Sequence, residues 1–234
     1  MYNLLNTRKP LSSSGITFLV SFTDVARTAN SDEPKSIAKK RAEMYQILAT
    51  AFYPPVQEIA ERLWTYAISH WKPEDTKTVV LNPVELRLEY NRLFVGPGAL
   101  ACPPYESVYR RDRPESERGM LMGPSVIDLK QKYSEAGLQI DKSFSDLPDH
   151  VAVELEFMCY LCAKEADAVA SGADEAIWRK REAEFWKFHL NAWIGEFSDR
   201  LLKNSKSPFY KSLAMFLKDW FEEEGDDFIK TLGD

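Results

Sequence analysis

From Pro34 to the end of the chain, apolar side chains return every three or four residues, and each run stops at a proline or a glycine. No other feature limits the fold as strongly, because that spacing keeps apolar groups on one side of an α-helix. Ile37, Ala38, Arg41, Met44, Tyr45, Leu48 and Phe52 trace a first face, which Tyr53-Pro54-Pro55 ends. Ile59, Leu63, Tyr66 and Ala67 mark a second helix that reaches Lys72-Pro73. Asn82-Pro83 is a cap followed by proline at the first helical position, and Val84, Leu86, Tyr90, Leu93 and Phe94 carry a third helix to Gly96-Pro97.

Residues 95–124 are rich in proline, glycine and charge, which predicts a long loop. Loops of that length in compact domains usually serve a function or lack order. A helix over residues 125–136 ends at Gly137, and another, entered at Asp146 or Leu147, runs from Pro148 to Gly172. Aromatic-rich helices are expected over residues 177–202 and from Pro208 to about Glu223. Strand-like character is confined to residues 16–22, so the expected class is all-α: one helical bundle over residues 35–234 behind an N-terminal extension of residues 1–34.

Composition narrows the partners. Thirty basic against 36 acidic side chains give a net charge of −6 with no long basic block. That balance speaks against a nucleic-acid backbone and suits a basic peptide. Three cysteines make no disulfide framework and fit a reducing compartment, so the cytoplasm is expected. No apolar run approaches the roughly 20 residues of a spanning helix, so stable membrane insertion is not expected. Arg8-Lys9 before residues 16–22 has the outline of an export signal, but the run is short, holds Thr17 and Ser21, and leads to a poor cleavage site at Ala26-Arg27-Thr28-Ala29. The extension is expected to be loosely docked.

The stretch Glu89-Tyr90-Asn91-Arg92-Leu93-Phe94-Val95-Gly96-Pro97 leads from an aromatic helix into a loop in which Pro103-Pro104 stiffens the chain ahead of Tyr105 and Tyr109. It reads as a surface that holds something apolar, with no nucleophile in it. Other constellations are weaker. His150 and Glu154 share a helix face and offer an imidazole and a carboxylate to a metal, but no second ligand pair of the Glu-x-x-His type accompanies them. The alternative is structural: Asp149 charges or caps the helix N-terminus and His150 bonds to a neighbouring segment. Cys159-x-x-Cys162 lies inside a helical run and reads as small core residues. Trp186, His189, Trp193 and Phe197 have core spacing. Gly96 and Gly98 form no phosphate cradle, and Ser107 has no nucleophile-elbow context.

Three ordered motifs carry a resemblance. Glu89 to Pro97, then Pro103-Pro104-Tyr105-Glu106-Ser107-Val108-Tyr109, then Pro148-Asp149-His150-Val151-Ala152-Val153-Glu154-Leu155-Glu156-Phe157-Met158 together resemble the TorD/DmsD/NarJ family of redox-enzyme maturation chaperones. His189-Leu190-Asn191-Ala192-Trp193 and Ser207-Pro208-Phe209-Tyr210 extend the likeness over residues 36–222. The resemblance implies an all-helical chaperone, not an enzyme, with no cofactor of its own. Its implied partner is the precursor of a molybdopterin-containing oxidoreductase, bound through a twin-arginine signal peptide or as apo-enzyme before export, and a homodimer is implied as an option. The implied peptide site comprises Tyr90, Arg92, Leu93, Phe94, Pro104, Tyr105, Glu106, Tyr109, Asp149, His150 and Glu154, with apolar pockets for the hydrophobic part of the peptide and Glu106, Asp149 and Glu154 for its arginines. Thr7-Arg8-Lys9-Pro10-Leu11 faintly mimics the twin-arginine pattern, so the extension is a further candidate occupant of that groove. Tyr105-Glu106-Ser107 stands where some branches of the family carry tryptophan-glycine-serine, which leaves the client unnamed. The competing readings are a small metal enzyme using His150 and Glu154, and an adaptor that oligomerises through its aromatic C-terminal helices.

Overall fold

The computed structural model describes residues 36–56, 61, 82–118, 120, 122–140 and 145–233. The expectations for the extension, for the strand-like residues 16–22 and for the second helix at Ile59, Leu63, Tyr66 and Ala67 lie outside the described residues.

Among the described residues the regular structure is helical throughout. Helix α1 (Ile37–Ala51) starts where Ser36 Oγ accepts the Lys39 N–H at 3.2 Å. Helix α2 (Pro83–Tyr90) starts at Asn82, whose side chain accepts from Val84 and Glu85. It does not stop at Tyr90 but widens into a π-turn over Asn91–Val95. The Gly96 N–H closes that turn on Asn91 O at 2.8 Å, and Gly96 can do so because its φ of 101° suits glycine alone. The expected long loop holds two short elements, α3 (Glu106–Tyr109) and a 3₁₀ turn over Glu115–Glu117. Then come α4 (Pro124–Glu135) and α5 (Val151–Ser171), the latter ended by Gly172.

One expected element divides. Residues 177–202 are not a single helix: α6 (Ala176–Phe188) breaks at His189, a 3₁₀ turn covers Leu190–Ala192, and α7 (Ile194–Asn204) follows. His189 leaves helical geometry at φ −117°, ψ −85° because its imidazole is held by side chains from α3 and α4. Helix α8 (Pro208–Gly233) runs well beyond Glu223. Gly225 sits inside it, where a Cβ would lie 2.8 Å from Trp186 Cζ2, so the glycine lets α8 approach α6 closely.

Helix α5 is the centre of the bundle. It packs against α1 on one side and α6 on another, while α8 lies across α6 and α7. Its first eleven residues, from Val151 to Leu161, are buried except for Tyr160, as a helix covered all round requires. Arg41, counted among apolar positions by spacing alone, is a buried cation at the meeting of four helices. Its guanidinium pairs with Glu224 of α8 (2.7 Å), Glu182 of α6 (2.6 Å) and Glu165 of α5 (3.1 Å), and Tyr45 donates to the same Glu224 at 2.9 Å. Burial pushes the Glu182 carboxyl up to about 8, against the pull of Arg41. No helix among the described residues is long and apolar enough to cross a membrane.

Candidate functional site

The two motif segments meet through their backbones. Pro103 and Pro104 hold the chain extended ahead of Tyr105, and Tyr105 forms an antiparallel bridge with His150. The Glu106 N–H donates to Asp149 O at 3.0 Å, and the Val151 N–H donates to Pro104 O at 2.8 Å. Val151 is the first residue of α5, so its N–H has no partner within the helix, and the proline loop supplies one. His150 completes the cap: its Nδ1 accepts the Ala152 N–H at 3.1 Å. Asp149 is not the cap, contrary to the sequence reading. Its carboxylate accepts the Ser107 N–H at 3.1 Å and thereby holds the start of α3.

Beneath this junction lies a buried polar network. Glu106 pairs with Arg110 four residues on, and its other oxygen lies 3.0 Å from His189 Nδ1. His189 Nε2 lies 3.3 Å from the Asp128 carboxylate, an ion-pair distance without the alignment of a hydrogen bond. Burial lowers the His189 pKa, but Asp128 and Glu106 outweigh it and raise the group above its ordinary value. Arg110 also clasps Asp112 and donates to Phe188 O at 2.9 Å, where α6 ends. Glu154 Oε2 accepts the Trp193 indole N–H at 3.1 Å. Burial first, then the neighbouring Glu106, drives the Glu154 pKa well above the ordinary carboxylate range, against the bond from Trp193. Burial likewise raises Asp149, although bonds from Ser107 oppose it.

The expectation that Glu106, Asp149 and Glu154 face a ligand's arginines does not match this geometry. All three are fully buried and turned toward the chain's own donors. The aromatic members are buried as well. Phe94 makes edge contacts with Tyr90, Phe52 and Tyr210 at 5.2, 6.1 and 5.5 Å. Tyr90 donates to Phe52 O, Leu93 is fully enclosed, and Pro104 is buried. Tyr109 stacks on Trp193 at 5.7 Å and donates to Pro103 O at 2.8 Å. Arg92 reaches solvent, but Glu89 grips it at 2.7 and 2.8 Å and it donates to Asn204 O at 2.6 Å, tying the π-turn to the end of α7.

Tyr105 is the aromatic member at the surface. It is half-buried, meets His150 edge to face at 5.6 Å, and donates its hydroxyl to Asp146 Oδ1 at 2.8 Å. Tyr53 also stacks on His150, at 6.4 Å. Burial pushes the His150 pKa down to about 4, against the nearby charge of Asp146, so the imidazole is neutral at pH 7. Sequence reasoning passed over Asp146 as a site residue and Tyr53 altogether. The signal for Asp146 was its position just ahead of Asp149-His150, whereas Tyr53 carried none beyond its place beside two prolines.

The metal reading is corrected by the same contacts. His150 Nδ1 serves as a helix cap and Glu154 turns to Trp193, so the pair does not converge. No three His, Cys, Asp or Glu side chains are grouped to hold an ion among the described residues. Cys159 and Cys162 are buried free thiols, with Cys159 pushed up to about 12 by burial.

Comparison with known proteins places this arrangement. The family model described as nitrate reductase delta subunit matches residues 49–199. The chaperone protein TorD of Shewanella pealeana is 24% identical over 215 residues, covering 83% of this chain and 92% of that protein. The selenate reductase assembly chaperone protein of Thauera selenatis is 32% identical over 117 residues, 50% of this chain and 57% of its own. The chlorate reductase assembly chaperone protein of Ideonella dechloratans is 31% identical over the same length. A crystal structure from Archaeoglobus fulgidus, provisionally described as a redox enzyme maturation protein, shares the fold with a TM-score of 0.53 at 19% identity, covering 83% of this chain and 99% of that one.

Proposed function

Because the chain belongs to the nitrate reductase delta subunit family, the family of the TorD and NarJ proteins, we propose that it is an assembly chaperone for a molybdenum-cofactor oxidoreductase. It binds the precursor of that enzyme, including its twin-arginine signal peptide, in the cytoplasm and before export, and supports cofactor insertion. The likeness to a named chaperone over 83% of this chain and the partial likeness to two named assembly chaperones support this reading.

The observation that carries the site is the Tyr105–His150 bridge, which joins the two most distinctive motifs into one rigid junction. Tyr105 and Arg92 are the members that reach solvent and contact the peptide. Tyr90, Leu93, Phe94, Pro104 and Tyr109 hold the loop from below, while Glu106, Asp149, His150 and Glu154 fix its backbone. Affinity purification of the tagged full chain from its native cell tests the proposal. A molybdopterin oxidoreductase precursor that still carries its leader should co-purify, and recovery of the mature enzyme alone, or of no such enzyme, overturns it.

A further inference from the structure

Asp146 is the acidic side chain at the junction that faces solvent. Its Oδ1 accepts from the Tyr105 hydroxyl and from the Leu147 N–H, each at 2.8 Å, which fixes the carboxylate in place. Its Oδ2 has no partner among the described residues, and no lysine or arginine among them pairs with it. The half-buried ring of Tyr105 lies beside it, and behind that ring the neutral His150 is flanked by Tyr53. A held carboxylate whose second oxygen is open among the described residues, next to an aromatic ring, suits a planar cation better than a compact one. A guanidinium stacks on an aromatic ring while donating in its own plane, whereas an ammonium is held more strongly by water.

We propose that Asp146, positioned by the Tyr105 hydroxyl, is a recognition carboxylate for an arginine side chain of a bound peptide. The proposal rests on the chaperone reading only for the source of that arginine. It assigns to Asp146 the role that the buried Glu106, Asp149 and Glu154 do not fill, and the net charge of −6 favours the approach of a basic segment.

The test uses the full chain and small probes that do not depend on the client. Proton NMR of the Tyr105 and His150 rings is followed during titration with the acetylated amides of arginine, lysine and citrulline. Saturable shifts with arginine are expected, weaker ones with lysine and none with citrulline. Asp146→Asn keeps both accepted hydrogen bonds and removes only the charge, and it should weaken the arginine probe by at least about threefold. Tyr105→Phe keeps the ring but frees the carboxylate, and should weaken the probe less. Equal binding of citrulline, or an unchanged affinity in Asp146→Asn, overturns the proposal. A leader peptide that binds normally while the arginine probe fails removes this inference and leaves the chaperone reading. The reverse pattern removes the chaperone reading and leaves this one.

Discussion

The carbonyl of Pro104 accepts the N–H of Val151 at 2.8 Å, so the proline loop ends where the central helix begins. That single bond links the loop's conformation to the stability of α5, since the donor it satisfies would otherwise be buried without a partner. The neighbouring cap at His150 strengthens the link.

Replacing His150 tests that cap. His150→Ala should cost about 1 kcal/mol of folding stability, the usual worth of a side-chain cap, and His150→Asn should restore much of it through its own amide oxygen. Urea denaturation of the two variants checks the order.

The same imidazole sets an acid limit. His150 is held near 4 in the folded chain against about 6.5 when unfolded, so the folded state binds fewer protons between those values. Its contribution is therefore complete above pH 6.5 and lost as pH falls toward 4, on the order of 3 kcal/mol at the acid end. His189 works in the opposite sense. Its folded pKa is raised, so its contribution is present below pH 6.5 and fades as pH climbs through the folded value. NMR titration should give a His150 midpoint near 4, and His189→Gln should flatten the alkaline side of the stability profile while leaving the acid side.

Arg41 is a stronger test of the core. Arg41→Met leaves Glu224 and Glu182 buried without their cation, which should destabilise the fold by about 3–5 kcal/mol. A denaturation midpoint close to wild type would show that the four-helix ion cluster is not as drawn.

Two glycines in the last helices should respond in opposite directions. Gly225→Ala places a Cβ against the Trp186 ring and should cost about 1–3 kcal/mol as α6 and α8 separate. Gly195→Ala meets nothing within 4 Å on α7 and should stabilise by about 0.4–1 kcal/mol. Thermal unfolding of the pair gives the comparison.

What could be read in advance follows from the range of the forces involved. The start of α2 and the ends at Gly137 and Gly172 depend on neighbouring residues, and their positions were evident from Asn82-Pro83 and the glycines themselves. The break at His189 depends on Glu106, 83 residues away, and no local signal marks it. The same is true of the burial of Glu106, Asp149 and Glu154: carboxylates count as surface groups until their donors are known, and here those donors are Arg110, His189, the Ser107 backbone and the Trp193 indole. The motifs around Tyr105 and His150 could be recognised separately, but their union in one backbone bridge could not.

The most direct measurement is calorimetric titration of the full chain with the twin-arginine leader peptide of its proposed client oxidoreductase, alongside Tyr105→Ala and a control at the exposed Ile229 of α8. Saturable binding that Tyr105→Ala weakens about tenfold or more, with helicity retained and Ile229→Ala unchanged, is the predicted result for an anchoring aromatic. Binding that is absent, or equally strong in the Tyr105→Ala chain, would contradict a peptide site at the Tyr105–His150 junction.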